Sequence, residues 1–366
     1  MDADRFDNAR ESPELVEAVV RVVVGLGLYA DGDVATASDM FLRATELAPD
    51  YVGAHFAYAQ ALLAQGQFSP GWHEFAWRKP YNGATTRLLE EITIPEWSGE
   101  RMDACRLLVI CDEGVGDAIM FSRYLPQVAD RVGEVVLGWG QEHAALFRKI
   151  AGVSDVLISR PTFTEFDAFV MICDLPRVFG TTLETIPDQT PYLPLDTRNE
   201  QEWRERLDAK LPKGQLRVGI NWAGSELHAR DEQRSLAFEQ LSSVLGIDGI
   251  SFVSLQKVVR ERDRADLAAA KNVLDVSPLL KSFADTAALI ANLDLVVSVD
   301  TAVAHLAGAL GAKVWLLLPQ PSDWRWLLGR SDTPWYPTMR LIRQPKYGDW
   351  DSVLQETRLG LCHLAV

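Results

Sequence analysis

The chain has 366 residues, 48% of them apolar and 24% charged, which is the composition of a soluble globular protein. That length gives room for two or three domains and needs no disulfide or metal staples. The 36 basic and 51 acidic residues leave a net charge of −15, which argues against nucleic-acid duplexes and anionic membranes as partners, since both need Lys and Arg at phosphates.

The acidity is uneven. Residues 1–80 carry 6 basic and 12 acidic groups, residues 81–214 carry 14 and 22, and residues 215–366 carry 16 and 17. The last stretch is nearly neutral and could hold a polyanion. The N-terminal Met1 to Glu11 is polar and lacks the apolar core of a secretory signal. The apolar run Val19 to Tyr29 contains Arg21 and is too short to span a bilayer. Residues 14–79 read as helical. A 34-residue period puts Gly25, Leu28, Ala37, Phe41 and Ala44 on the small and apolar positions of a tetratricopeptide repeat, with Pro49 closing it. The next period aligns Ala59, Leu62, Gly71 and Phe75 but lacks the closing Pro. The expectation is about one and a half to two repeats, with a generic helical hairpin as the alternative.

Pro80, Gly83, Pro95 and Gly99 make residues 80–104 irregular. Strands and helices then alternate, as in a parallel α/β sheet: strand Arg106–Cys111, helix Ala118–Asp130, strand Glu134–Leu137, helix Glu142–Ala151, strands Val156–Ile158 and Ala168–Met171. A polar stretch with Pro187, Pro191, Pro194 and Pro212 reads as a hinge. A second series follows: strands Arg217–Asn221 and Ser251–Leu255, helix Asp285–Asn292, strand Leu295–Val299, helix Thr301–Leu310 and strand Val314–Leu318. Asp323–Tyr336, rich in Trp, reads as loops and short helix, and Val353–Leu364 as a final helix.

Several constellations bear on chemistry. Asp112-Glu-Gly-Val-Gly-Asp117 joins the first strand to its helix. Gly114 and Gly116 let the backbone approach a ligand there, and Asp117 either acts as a general base or caps the helix. Gly138-Trp-Gly140-Gln-Glu-His143 has His143 where a dinucleotide fingerprint needs its third glycine, and reads as an ordinary connection. In Asn221 to Ser235, Gly224, Ser225, His228, Arg230 and Arg234 suit a phosphate-facing loop; the alternative is a solvated loop with Arg230 and Asp231 paired on the surface. Gln256 and Lys257 end the next strand at the same rim. In Asp300-Thr-Ala-Val-Ala-His305, the N–H groups of Thr301, Ala302 and Val303 open a helix and suit a diphosphate, whereas Asp300 could simply cap that helix. His305 lies one turn in, as a ligand contact or as a satisfied buried His. Ala307, Gly308 and Ala309 suit close packing. The aromatics of 323–337 form either a sugar platform or domain packing.

Three Asp-x-Asp triplets, Asp2/Asp4, Asp31/Asp33 and Asp349/Asp351, follow no strand of the second series and read as surface positions, so no metal is expected. Cys105, Cys111, Cys173 and Cys362 form no Cys-x-x-Cys pair, so reduced thiols and a cytoplasmic location are the expectation.

In this order, from about residue 28 to the end, these pieces resemble the bacterial tetratricopeptide-repeat glycosyltransferase-like proteins related to the heptosyltransferases. The resemblance is strongest at Asp300-Thr-Ala-Val-Ala-His-Leu-Ala-Gly-Ala-Leu310, Asp323-Trp-Arg-Trp-Leu327 and Ser331-Asp-Thr-Pro-Trp-Tyr-Pro-Thr-Met-Arg340. Gly71-Trp-His-Glu-Phe-Ala-Trp-Arg78 resembles the repeat end that leads into the enzyme domain. The resemblance implies an α/β GT-B architecture, a pair of Rossmann-like domains preceded by the helical segment. The boundaries are 1–80 for the tetratricopeptide-like segment, 81–212 for the acceptor domain and 213–349 for the nucleotide-sugar domain, with helix 350–366 crossing back onto the acceptor domain. It implies Asp117 as acceptor base, Thr301, Ala302 and Val303 at the donor diphosphate, and Arg234 at the phosphates where heptosyltransferases carry Lys. The first loop departs from the family's Gln-Gly-Leu-Gly-Asp by Glu113 and Val115.

The implied activity is an inverting, metal-independent glycosyltransferase. It would take a nucleotide-diphosphate sugar as co-substrate, use no cofactor, and act on a protein, lipid or glycan acceptor, with the helical segment free to dock a protein partner. The alternative is a non-catalytic nucleotide-sugar-binding or protein-docking module.

Overall fold

The computed structural model describes residues 12–138 and 141–365. Met1 to Glu11, including Asp2 and Asp4, and Trp139 and Gly140 of the Gly138–His143 connection lie outside the described residues. The chain divides into two compact units. One runs to Thr93 and adds Pro176–Ile186 and Gln320–Arg330; the other takes Ile94–Leu175, Pro187–Pro319 and the chain from Ser331.

The first unit is helical: α1 Pro13–Ala30, α2 Val34–Leu47, α3 Val52–Ala64, α4 Phe68–Phe75 and α5 Gly83–Glu91. Ser12 caps α1, accepting from the Leu15 N–H at 3.1 Å with Pro13 in the first turn, and Asp33 caps α2. Small residues set the crossings. A Cβ on Gly25 would stand 2.5 Å from the Phe41 ring, and one on Gly71 would stand 2.7 Å from Leu63. Residues 80–104, expected to be irregular, hold α5, started by the Asn82 side chain on the Ala84 N–H at 3.1 Å. Only Thr85 of α5 is buried.

Two distant segments complete this unit. The Trp72 indole donates to the Thr181 carbonyl at 3.0 Å. Trp324, in the one-turn 3₁₀ helix Trp324–Trp326, stands edge-on to Trp72 and Phe75 at 5.4 and 5.5 Å between centroids. The first half of the Trp-rich stretch is therefore packing.

The second unit holds two parallel sheets. The four-stranded sheet has β1 Met102–Ile110, β2 Val132–Leu137, β3 Val153–Val156 and β4 Ala168–Met171 in the order β3-β2-β1-β4, with α6 Val115–Phe121 after β1 and α7 Gln141–Phe147 after β2. The helix expected over Ala118–Asp130 breaks at the 3₁₀ turn Ser122–Tyr124, just before Pro126.

The supposed hinge contains α8 Thr197–Lys210, capped by Asp196 and anchored by buried Trp203 and Leu207. The six-stranded sheet has β5 Leu216–Asn221, β6 Ile250–Ser254, β7 Val273–Leu274, β8 Leu295–Val299, β9 Val314–Leu318 and β10 Met339–Arg343 in the order β10-β9-β8-β5-β6-β7. Its helices are α9 Glu261–Ala269, α10 Phe283–Ile290, α11 Ala302–Ala309 and α12 Trp350–Leu364.

The final helix corrects an expectation. Trp350, Val353, Leu354 and Leu361 of α12 join Val218, Ile220, Phe252 and Ile342 in the core of the six-stranded sheet, and Gly360 fits under the Trp315 ring of β9. The apolar stripe of α12 is matched by that sheet, so the helix packs there instead of crossing back to the first one. Among the described residues, no helix is long and apolar enough to cross a membrane.

Candidate functional site

β5 lies between β8 and β6, so the strand order reverses direction beside it. In open α/β sheets the crevice at the carboxyl ends of such strands is where ligands bind. Three strand tips are tied together there. The Asn221 Oδ1 accepts from the Thr301 hydroxyl at 2.8 Å and the Ser298 hydroxyl at 3.3 Å, and its amide donates to Gln256 Oε1 at 2.8 Å. Gln256 Oε1 also accepts from the Ala223 N–H, while Nε2 donates to the carbonyls of Ala223 and Val258. The amide of Gln256, expected to face a ligand, is thus used up in clamping the loop after β5.

Thr301 is the residue before α11. Its side chain is turned down to Asn221, and no side chain caps the helix. The N–H groups of the first turn therefore face the rim with the positive end of the helix dipole. Arg234 reaches this point: its Nη1 donates to the Asp300 carbonyl at 2.9 Å, and its guanidinium lies over Gly224, where a Cβ would stand 2.7 Å from Nη2.

Beneath it, Asp231 and Arg260 form a buried ion pair, with side chains 6% and 9% exposed. Arg260 also donates to the Gly224 carbonyl and Ser235 hydroxyl at 3.1 and 3.3 Å, and Asp231 accepts from Ser235 at 2.8 Å. Asp231 is therefore not paired with Arg230 on the surface. Arg234 Nε is 3.8 Å from the same Asp231 carboxylate and Arg260 Nε is 3.8 Å from Glu226, so Arg260 is the main partner of Asp231 and Arg234 is the guanidinium that reaches the α11 start. Sequence reading missed Arg260, because only the fold brings it to Asp231. Ser225 and His228 are exposed on the loop after β5, and Lys257 is exposed after β6. Arg230 is part-exposed, its N–H on His228 Nδ1 at 3.1 Å.

The turn after β1 meets the same helix. A Cβ on Gly116 would stand 3.1 Å from His305 Cδ2 and 3.6 Å from the Ala302 Cα, so glycine permits the approach of α6 to α11. Asp117 sits in the first turn of α6, and its Oδ2 accepts from the Gly114 N–H at 3.1 Å. Glu113 has φ 64°, in the left-handed region. Asp112 is buried and accepts from the Cys173 N–H at 3.1 Å.

His305 is buried, its Nδ1 2.8 Å from the Tyr336 hydroxyl. Burial first, and then Tyr192, holds the Tyr336 phenol well above its ordinary value. Tyr336 therefore keeps its proton and can donate it to Nδ1. Its ring also covers Gly308. Arg123 lies buried nearby against Tyr192, Trp335 and Tyr336, its Nη1 on the carbonyls of Trp335 and Pro187 at 2.8 and 3.0 Å. Cys111, just after β1, is held at about 12 by burial and then by the Asp112 charge, so it is no nucleophile near neutral pH.

Two remaining Asp-x-Asp triplets sit at helix ends. Asp33 and Asp349 cap α2 and α12, and Asp31 follows α1. The site thus joins an uncapped helix start, an arginine held over a glycine, and a carboxylate at a second helix start.

Residues 230–318 match the model of glycosyltransferase family 9 (heptosyltransferase). The matched stretch begins at Arg230 and takes in Arg234, Arg260, β8 and α11. Protein FlbA of Caulobacter vibrioides is 29% identical over 332 residues, covering 84% of this chain and 54% of that protein. The chain thus spans about half the length of that relative.

Among solved structures, the glycosyl transferase family 9 from Veillonella parvula DSM 2008 is similar at a TM-score of 0.53 and 10% identity, over 74% of this chain and 99% of that one. The E. coli ADP-heptose lps heptosyltransferase II gives a TM-score of 0.47 at 14% identity, over 71% and 100%. At the first of these scores the likeness is one of fold: α/β with parallel sheets, GT-B-like.

Proposed function

We propose that the chain is a glycosyltransferase that moves a sugar from a nucleotide-diphosphate sugar to an acceptor hydroxyl, with inversion and without a metal. The observation that carries this reading is the start of α11, which no side chain caps and whose preceding carbonyl holds Arg234. A leaving diphosphate there would gain the N–H groups of Ala302 and Val303, the helix dipole and the Arg234 charge, the stabilisation that a metal supplies elsewhere. Asp117 takes the acceptor proton while the acceptor oxygen attacks the anomeric carbon from the face opposite the diphosphate. His305, between Gly116 and Tyr336, links the two helix starts. Residues 81–212 serve the acceptor and 213–349 the donor, in a cytosolic protein with free cysteines.

In this reading α1–α4 are a tetratricopeptide-like segment that docks a protein partner. The small residues at their crossings and a cleft of 560 Å³ lined by Tyr58, Trp72, His73, Glu74, Arg177 and Thr182 support it.

The second reading is a nucleotide-sugar-binding module without turnover. The Asp117 carboxylate engaged on its own helix start favours it. Calorimetry with a panel of nucleotide diphosphates, followed by transfer assays with a labelled donor and cell lysate, separates the two. Binding with transfer is expected, and binding without transfer leaves the module. Asp117→Asn should lower transfer about 10²–10⁴-fold with nucleotide affinity near wild type. Transfer that survives the change removes Asp117 as the base.

A further inference from the structure

His305 of α11 and Tyr336, just before β10, form a buried pair with no step of its own in the transfer. The Tyr336 hydroxyl lies 2.8 Å from His305 Nδ1, and the two rings meet edge-on at 5.7 Å between centroids. A set of donors around Arg123 decides which atom carries the shared hydrogen. Arg123 can only donate. Its Nε donates to the Met120 carbonyl of α6 at 2.9 Å, its Nη2 to the Tyr192 hydroxyl at 3.2 Å, and its guanidinium lies 4.9 Å from the centre of the Tyr336 ring. Tyr192 gives its own hydrogen to the Ile119 carbonyl at 3.1 Å. Burial keeps the Tyr336 phenol protonated, and Tyr192 and Arg123 both bear on its oxygen. An imidazole nitrogen is a more basic acceptor than a phenol oxygen that already takes a bond from Arg123, so the Tyr336 hydrogen goes to Nδ1.

We infer that Tyr336 is a positioning residue, which holds His305 as the neutral tautomer with its hydrogen on Nε2 and so sets a hydrogen-bond donor, not a second base, at the turn that carries Asp117. An imidazole that accepts at Nδ1 carries its hydrogen on Nε2. That edge of the ring faces the first turn of α6, since a Cβ on Gly116 would stand 3.1 Å from Cδ2 and 3.7 Å from Nε2. The Tyr336 ring is itself fixed, because it fills the space over Gly308, where a Cβ would stand 2.5 Å from its Cδ1. The role in transfer rests on the glycosyltransferase reading. In that reading the Nε2 hydrogen serves an oxygen of the bound sugar or acceptor, and Asp117 alone takes the proton. The tautomer itself is a property of the free protein.

Nitrogen–proton correlation spectra of the full chain, labelled with ¹⁵N-histidine, read the tautomer without any substrate. The chain has six histidines, and His305→Gln identifies the signals of His305. The Nε2–H pattern is expected in the wild type near neutral pH, and Tyr336→Phe, which keeps the ring over Gly308, should replace it with a mixture of forms. A wild-type His305 in the Nδ1–H or the doubly protonated form overturns the inference, whether or not the chain transfers sugar. A Tyr336→Phe spectrum identical to wild type overturns it as well. Where transfer is measured, Tyr336→Phe should lower kcat about 10-fold with KM for the nucleotide sugar little changed. His305→Gln, whose amide can still donate, should retain about 10-fold more transfer than His305→Ala. Equal losses in those two variants remove the Nε2 hydrogen from the step. A wild type that transfers nothing defeats the glycosyltransferase reading and leaves the tautomer to be decided by the spectra. Should Tyr336→Phe fail to fold, the wild-type spectrum still decides.

Discussion

After β1 the chain enters α6 through Gly114 to Gly116, and after β8 it enters α11 through Asp300 and Thr301. Both turns lie at the carboxyl ends of parallel strands, and they touch at Gly116, Ala302 and His305. In the first turn, Asp117 spends an oxygen on the Gly114 N–H of its own helix start, and Glu113 holds a left-handed backbone. In the second, the polar side chain that could have capped the helix is turned away to Asn221, and an arginine is brought in from the loop after β5. The first turn carries a negative group, and the second is laid out to receive one. Two starts with the same strand–turn–helix form thus take opposite charge roles through one rotamer choice and one imported side chain.

Four substitutions sharpen or break that contrast. The largest effect is that of Asp117→Asn on transfer, given above. Arg234→Met should weaken nucleotide-diphosphate binding about 10–100-fold by calorimetry, the worth of one or two charge-assisted bonds. If Arg234→Met instead leaves affinity intact and Asp117→Asn lowers it, the assigned charge roles are reversed. Gly116→Ala drives a methyl toward a His305 ring already held by Tyr336, and should cost about 1–3 kcal/mol in denaturant unfolding. An unchanged midpoint would mean that the two starts are not packed together. Smallest is Glu113→Gly, which removes the left-handed cost of a side chain and should raise stability by about 1 kcal/mol. A loss of stability there would mean that the Glu113 side chain does more for the turn than its backbone conformation costs.

The buried strands were legible because their residues run apolar between turns: Ala168–Met171, Leu295–Val299 and Val314–Leu318 lie where the pattern puts them. The strand β10 was not, because Met339–Arg343 sits at the sheet edge with Arg340 and Arg343 breaking its apolar run. The helix α8 was hidden by its polarity, since two buried side chains anchor fourteen residues. At the site, the helix start after β8 and Arg234 could be read from local chemistry. The engagement of Gln256 could not, because three of its four side-chain hydrogen bonds run to Asn221 and Ala223, which only the sheet brings to it. The same holds for Arg260, twenty-nine positions from Asp231. The destination of α12 also depended on tertiary packing, since an amphipathic stripe specifies burial but not the sheet that provides it.

The insertion of Gln320–Arg330 into the helical unit has a consequence for synthesis on the ribosome. Helices α1–α5 emerge first, yet Trp324, which closes over Trp72 and Phe75, emerges more than two hundred residues later. At about 5–20 residues per second the wait is on the order of 10–50 s. During that interval Trp72 and Phe75 lack the ring that covers them in the finished protein, which makes the nascent helical unit a natural client for a chaperone that binds exposed aromatics.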